Sequence, residues 1–334
     1  MLLRFPLRSF PHPRPLVVSV TESKETTITS RKTWMRNALR VAAALLILAV
    51  IYVLVGIVRR DGPAAIDAWR GVTVQWSWIM LASMCAIVGQ LIYVYGWIRI
   101  LADCGVALPL WPATRMFFAS NLGRYLPGGK AWQMGIVGVM AAELGLPPAT
   151  LAATSLLTGV VGLGVGMLVF MVTGGAAIGV SGPWLVIPLL GVACVLAAPQ
   201  LLRLWPRAYA LVVARWPHVA TITNAGMWAT VWTSTANWLL WGLALYLLAR
   251  GLIGDPGASL GTYIAAWAGP FIAGLVAVFA PAGVGVRDSA MTAVLHAGGL
   301  GAGNTLVVVV IARVWGTVLE VVPAALVLLV RRTA

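Results

Sequence analysis

The stretch Asn121-Leu122-Gly123-Arg124-Tyr125-Leu126-Pro127-Gly128-Gly129-Lys130-Ala131-Trp132-Gln133 decides how this chain is read, because it sets two cations around a Pro-Gly-Gly break between apolar runs. In hydrocarbon every backbone N–H and C=O needs a partner, so irregular backbone at membrane depth survives only inside protein or beside a water-filled cavity. Arg124 and Lys130 carry the same implication, since each costs about 2.5–3.5 kcal/mol at a helix centre unless paired or hydrated. One account of the stretch is a polar loop between two ordinary spans. The other is a broken or re-entrant helix that holds a polar site. The polar load across residues 112–143 favours two half-length helices meeting at Pro127.

The composition around it belongs to an all-α polytopic membrane protein. Of 334 residues 60% are hydrophobic and only 10% charged, with mean hydropathy +0.93, which leaves no room for a soluble core. The net charge of +14 resembles that of a nucleic-acid binder. Its cations sit mostly at the ends of apolar runs, however, where they set topology, so no nucleic-acid partner is expected. Cys85, Cys104 and Cys194 lie far apart and only three histidines occur, so no metal site, haem or disulfide framework can be argued and no cofactor is expected. Gly128-Gly129-Lys130 is not a nucleotide loop: Arg124 stands where the leading glycine belongs, and Ala131 follows the lysine where Ser or Thr is required. Without a nucleophile elbow or a zinc-protease helix, the chain is not expected to be an enzyme.

Taken in order, residues 1–37 read as a disordered basic cytoplasmic tail, with Met35 an alternative start to Met1, and residues 38–332 as one transmembrane domain. Full spans are expected at 38–58, 76–101, 149–175, 184–201, 226–250 and 303–330, about six in all, each near the length that a ~30 Å hydrocarbon core requires. Broken segments occupy 112–143 and 259–298. With the first counted as re-entrant, Arg203, Arg207 and Arg215 fall on the cytoplasmic side and both termini are cytoplasmic, as in a multi-pass protein of the bacterial inner membrane. Counting each broken segment as two full spans leaves the flanking sides unchanged, so charge does not separate the two topologies. Two interrupted segments of opposite orientation are what an inverted repeat gives, and such segments are the best sequence pointer to a transporter's binding site. Gly159, Gly162, Gly164 and Gly166 read as close helix packing.

The second break, Pro281-Ala282-Gly283-Val284-Gly285-Val286-Arg287-Asp288, repeats the logic of the first. Pro removes a donor, the glycines permit positive φ, and a cation appears where a new helix begins. A helix N-terminus offers free N–H groups and about half a positive charge, so Lys130 and Arg287 suit a phosphate or carboxylate ligand. Candidate substrate-binding residues are Asn121, Arg124, Tyr125, Lys130, Gln133, Arg287 and Asp288, set by backbone breaks at Pro127, Gly128, Gly129, Pro281, Gly283 and Gly285. Glu143, Arg313 and Glu320 form a candidate charge relay. Arg313 and Glu320 are two turns apart on one face of the last span, where they can meet Arg287 and Asp288. A static charge cluster that fixes helix packing is the other account of these residues.

The two motifs, Asn121…Arg124-Tyr125-Leu126-Pro127-Gly128-Gly129-Lys130 and Pro281-x-Gly283-x-Gly285-Val286-Arg287-Asp288, resemble those of the lysylphosphatidylglycerol synthase transmembrane family. That family includes the flippase domain of the bacterial multiple peptide resistance factor, and the resemblance spans roughly residues 38–330. It implies translocation of an anionic phospholipid or a polyprenyl-phosphate-linked sugar across the cytoplasmic membrane. Two departures are expected to matter. No synthase domain follows Ala334, so synthesis of an aminoacyl lipid is not expected of this chain, and Asp288 stands where Glu is the more usual residue. Two alternatives stay open: a membrane-embedded transferase with Asp288 or Glu143 as general base, and a non-enzymatic partner of a separately encoded synthase or glycosyltransferase. Homodimerisation is also open.

Overall fold

The computed structural model describes residues 74–125, 129–174, 221–276 and 285–329, with positions 190, 193 and 214 in isolation. The expected tail at 1–37 and the expected spans at 38–58 and 184–201 lie outside the described residues. Among the described residues, four helices are long and apolar enough to cross a membrane: α1 (Trp76–Asp103), α4 (Pro148–Gly174), α5 (Asn224–Ile253) and α8 (Ala302–Leu329). The shortest has 27 residues, about 40 Å of helix, which exceeds the hydrocarbon core. The protein is therefore helical and membrane-embedded, and these four spans match the expected runs at 76–101, 149–175, 226–250 and 303–330 to within three residues at each end.

Small residues bring α1 and α5 together. Ala82 and Ala86 are fully buried, and a Cβ placed on Gly89 would lie 3.2 Å from the Leu240 Cβ. Without a hydrophobic drive between helices in lipid, such close backbone approach is the main source of their association. The pair is antiparallel. At one end the Gln75 N–H donates to the Gly251 carbonyl at 2.8 Å; at the other, Asp103 Oδ2 accepts from Thr223 N and Oγ1 at 2.9 and 2.7 Å. Thr223 in turn caps α5, its Oγ1 accepting from Gly226 N at 3.1 Å. Asp103 is thus a structural clasp between two spans. α4 runs antiparallel to α1, tied by Trp97 Nε1 to Thr154 Oγ1 at 3.1 Å and Tyr93 Oη to the Thr158 carbonyl at 3.1 Å.

Each broken segment is a pair of short helices. α2 (Leu110–Asn121, 12 residues) passes through a 3-10 turn (Leu122–Tyr125) to α3 (Gly129–Glu143, 15 residues), so the legs reach only about 18 and 22 Å. Its root sits at the C-terminal end of α1, where Ala113, Met116, Val137 and Ala141 pack with Val94, Trp97 and Leu101. The second pair is α6 (Leu260–Val276, 17 residues) and α7 (Val286–Ala297, 12 residues). α6 runs back along α5, with Trp267 stacked on Trp241 at 4.4 Å and Phe271 edge-on to Trp238 at 5.4 Å. Its start meets the end of α7, Thr262 lying against Gly298. This second root is therefore at the C-terminal end of α5, opposite the first.

Among the described elements the order repeats: span, helical hairpin, span (α1, α2–α3, α4), then the same again (α5, α6–α7, α8). Because α1 and α5 are antiparallel, the two hairpins enter from opposite ends. α8 closes the arrangement by running parallel to α1. Trp315 Nε1 donates to Ser83 Oγ at 2.9 Å, and one turn further Ile87 packs on the cluster containing Ala324 and Val327.

Candidate anion site

The tip of the first hairpin is shaped by two glycines. A Cβ on Gly123 would lie 2.8 Å from the backbone N of Gln133, and one on Gly129 would lie 2.8 Å from Arg124 Cα. Real side chains do not tolerate such distances, so the chain folds tightly there only because both are Gly. The expected break residue Gly129 acts through this close approach. Behind the tip, buried Asn121 and Gln133 clamp the two legs, Gln133 Nε2 donating to Asn121 Oδ1 at 3.4 Å. Both were candidates for ligand contact; the structure places them behind the cavity, not on its wall. Pro127, Gly128, Pro281, Gly283 and the Lys130 side chain lie outside the described residues.

Arg124 and Tyr125 leave this tip and reach α8. Arg124 Nη1 lies 2.8 Å from Glu320 Oε1, while Tyr125 Oη donates to Glu320 Oε2 at 2.7 Å. Both carboxylate oxygens are therefore engaged by the first motif. Residues 313 and 320 share a face as expected and line one cavity with Arg287: the Glu320 end hydrogen-bonds to the first hairpin and the Arg313 end faces the second. Arg313 Nη1 lies 3.7 Å from Asp288 Oδ1. Asp288 Oδ2 also accepts the Gly285 N–H at 3.2 Å, which caps α7, and Gly285 has φ +83°, a conformation that costs glycine little.

Arg287 differs from the other two arginines. Its guanidinium stands over the rings of Trp267 at 4.5 Å and Phe271 at 5.2 Å, and no described carboxylate pairs with it. Arg124 reaches the same Phe271 ring at 5.9 Å, so the tip of the first hairpin and the start of α7 both reach this aromatic shelf. Trp267 is held by Trp241 beneath it and by Trp315, whose ring centroid is 6.5 Å away. Cation–π contacts of this kind are worth about 0.5–2 kcal/mol and soften the burial of an unpaired charge.

These groups surround one cavity of about 20 Å³, lined by Arg124, Tyr125, Arg287, Arg313, Thr317 and Glu320 and floored by Ala312 and Gly316. That volume accommodates roughly one water molecule. Residues 313–320 straddle the middle of the 28-residue α8, which sets the cavity near half-depth of the helix. Among the described residues, three guanidinium groups face two carboxylates, an excess of one positive charge. Glu143, by contrast, is exposed at the end of α3 and joins none of these contacts. Thr317, Gly316, Trp267 and Phe271 were not foreseen. The first two follow from the same i, i+3, i+4, i+7 spacing that links Arg313 to Glu320, and the aromatic pair is an i, i+4 stripe on α6.

Geometrically this is an arginine-rich cavity between two hairpins rooted at opposite ends of the bundle. No protein-family model matches the chain, and none of the curated proteins matches it either.

Proposed function

We propose that the protein moves an anionic lipid across the bilayer, either a phospholipid or a polyprenyl-phosphate-linked sugar, by holding the headgroup phosphate in this cavity while the chains stay in lipid. The observation that carries the reading is the convergence of Arg124, Arg287 and Arg313 on one mid-helix cavity with a surplus positive charge. A buried unpaired charge is expensive, and in membrane proteins such groups mark substrate paths. The inverted order of the two span–hairpin–span halves supports alternating access by rocking of one half against the other. On this reading the hairpins are re-entrant, and the cavity must widen to admit a headgroup, since its volume suits about one water. The resemblance of the Arg124–Lys130 and Pro281–Asp288 motifs to a lipid-translocating family points the same way.

The test is leaflet-resolved translocation of fluorescent phospholipids and of a polyprenyl-phosphate sugar in liposomes containing the purified protein alone. Transport that is lost in Arg287→Gln, with the variant folded, is the expected result. Equal rates for wild type and variant, or no transport of any of these lipids, would remove the proposal.

A further inference from the structure

We infer that the site selects a phosphodiester, a phosphate carrying a single negative charge, and that Glu320 sets this selectivity; the inference rests on the anion-site reading above. Glu320 is held at both oxygens, by Arg124 at 2.8 Å and Tyr125 at 2.7 Å, and Arg313 has Asp288 as its counter-ion. Among the described residues, what remains for a ligand is one unit of positive charge, centred on Arg287. That guanidinium packs against the rings of Trp267 and Phe271, which offer it no hydrogen-bond acceptor, and Arg287 lines the cavity. A planar N–H edge matches the two non-bridging oxygens of a phosphodiester in a paired hydrogen bond. Thr317 lines the same wall, but its Oγ1 donates to the Arg313 carbonyl at 2.9 Å and so has no proton for a phosphate oxygen, which leaves recognition to Arg287.

Charge decides which phosphates fit. A diester brings one negative charge and leaves the cluster neutral. A phosphomonoester brings about 1.5 to 2 charges at pH 7, and a pyrophosphate linkage brings two, so either leaves the buried cluster negative beside the Glu320 and Asp288 carboxylates. At low dielectric a like charge at such range is strongly unfavourable. Both a glycerophospholipid and a prenyl phosphoryl sugar are diesters, so the two sources share the required chemistry. Phosphatidic acid and pyrophosphate-linked carriers do not.

The experiment is equilibrium binding to the purified full chain in detergent, read by quenching of tryptophan fluorescence, with Trp267 the nearest reporter. Four probes form two matched pairs: dihexanoyl phosphatidylglycerol with dihexanoyl phosphatidic acid, and a short-chain prenyl phosphoryl hexose with its pyrophosphoryl counterpart. In wild type the diester of at least one pair binds about tenfold or more tighter than its doubly charged mate. Glu320→Gln, which adds one net positive charge, shrinks or inverts that ratio by about tenfold, while Glu320→Asp keeps it. Asp288→Asn raises the cluster charge by the same amount at a different place and shifts the ratio in the same direction, so the outcome does not depend on the fold of one variant. Whichever pair shows Arg287-dependent binding identifies the lipid source. A ratio near one in wild type, or a ratio that neither charge-removing variant changes, overturns the inference while leaving the anion site standing. Binding that Arg287→Gln does not weaken overturns the anion-site reading itself, and this inference with it.

Discussion

Arg124 and Glu320, 196 residues apart in the chain, meet at 2.8 Å and join the tip of the first hairpin to the middle of the last span. The pair does two things at once. It fixes how far the hairpin enters the bundle, and it removes one of three cations from the cavity's surplus charge. Removing one partner of a fully buried pair costs about 3–5 kcal/mol; this pair is part-buried and Glu320 keeps Tyr125, so the loss is about 1–3 kcal/mol, and removing both partners is far less harmful. Arg124→Gln is expected to lower unfolding stability in detergent by roughly that amount, and adding Glu320→Gln is expected to recover most of it. A thermal or denaturant double-mutant cycle measures this; additive losses would mean that the contact carries no coupling.

Gly123→Ala and Gly129→Ala test the tip geometry. Each new Cβ falls 2.8 Å from a backbone atom of the facing leg, so the legs must separate or the turn must distort. Overpacking of this kind typically costs about 1–3 kcal/mol. Because the tip carries Arg124, transport is expected to fall by more than the stability loss explains. Gly105→Ala serves as a control for added bulk, since nothing lies within 4 Å of its Cβ, although its φ of +74° adds local strain. Equal behaviour at all three positions would count against the close approach.

The parts legible in the sequence were those governed by local rules. Apolar run length gave the four described spans, and the Pro-Gly breaks beside Arg124 and Arg287 gave two segments of paired short helices. Heptad-like spacing put Arg313 and Glu320 on one face, and the Arg313–Asp288 contact follows from it. What spacing cannot supply is the partner across space. A helix face is set by a 3.6-residue period, but whether Glu320 turns to Arg287 or to Arg124 depends on how deep each hairpin reaches, and that is settled by packing at Gly123, Gly129 and Thr262 against Gly298. Asn121 and Gln133 show the same limit: polar residues beside a break can face a ligand or clamp the break itself, and in this structure they bond to one another. The aromatic shelf under Arg287 escaped notice because tryptophan in a membrane chain reads first as an interfacial anchor.

Arg287→Lys separates charge from shape. Lysine keeps the positive charge but loses the planar group that stacks on Trp267 and Phe271. The variant is expected to retain measurable anion binding, weakened about tenfold, where Arg287→Gln loses it. Equilibrium titration with dihexanoyl phosphatidylglycerol reads the difference. Lysine and glutamine variants that bind equally would show that the shelf, and not the charge, is what the ligand feels.

Cys104 offers a pH-dependent check on the α1–α5 clasp. It follows the last residue of α1, is 4% exposed, and burial followed by the neighbouring Asp103 carboxylate pushes its thiol up to about 11. The thiolate is the nucleophile, so alkylation of Cys104 in a background lacking Cys85 and Cys194 should be slow at pH 8 and rise steeply up to pH 11. Asp103→Asn removes a charge that opposes the thiolate and is expected to move the profile to lower pH. It also weakens the bonds to Thr223 and should cost about 1 kcal/mol. An alkylation profile centred near an ordinary thiol value would show that this corner is open to solvent.

The opposed hairpins make a topological prediction that span counting does not. Ala107 and Ala142 flank the first hairpin, Asp255 and Gly301 flank the second, and all four are exposed. Since the roots lie at the C-terminal ends of antiparallel α1 and α5, single cysteines at 107 and 142 should react with an impermeant maleimide from one side of sealed vesicles, and those at 255 and 301 from the other. Vesicles of opposite orientation should reverse the pattern. Cysteines at 107 and 255 that react from the same side would mean that the two hairpins share a face, and alternating access through an inverted pair of halves would then have no structural basis.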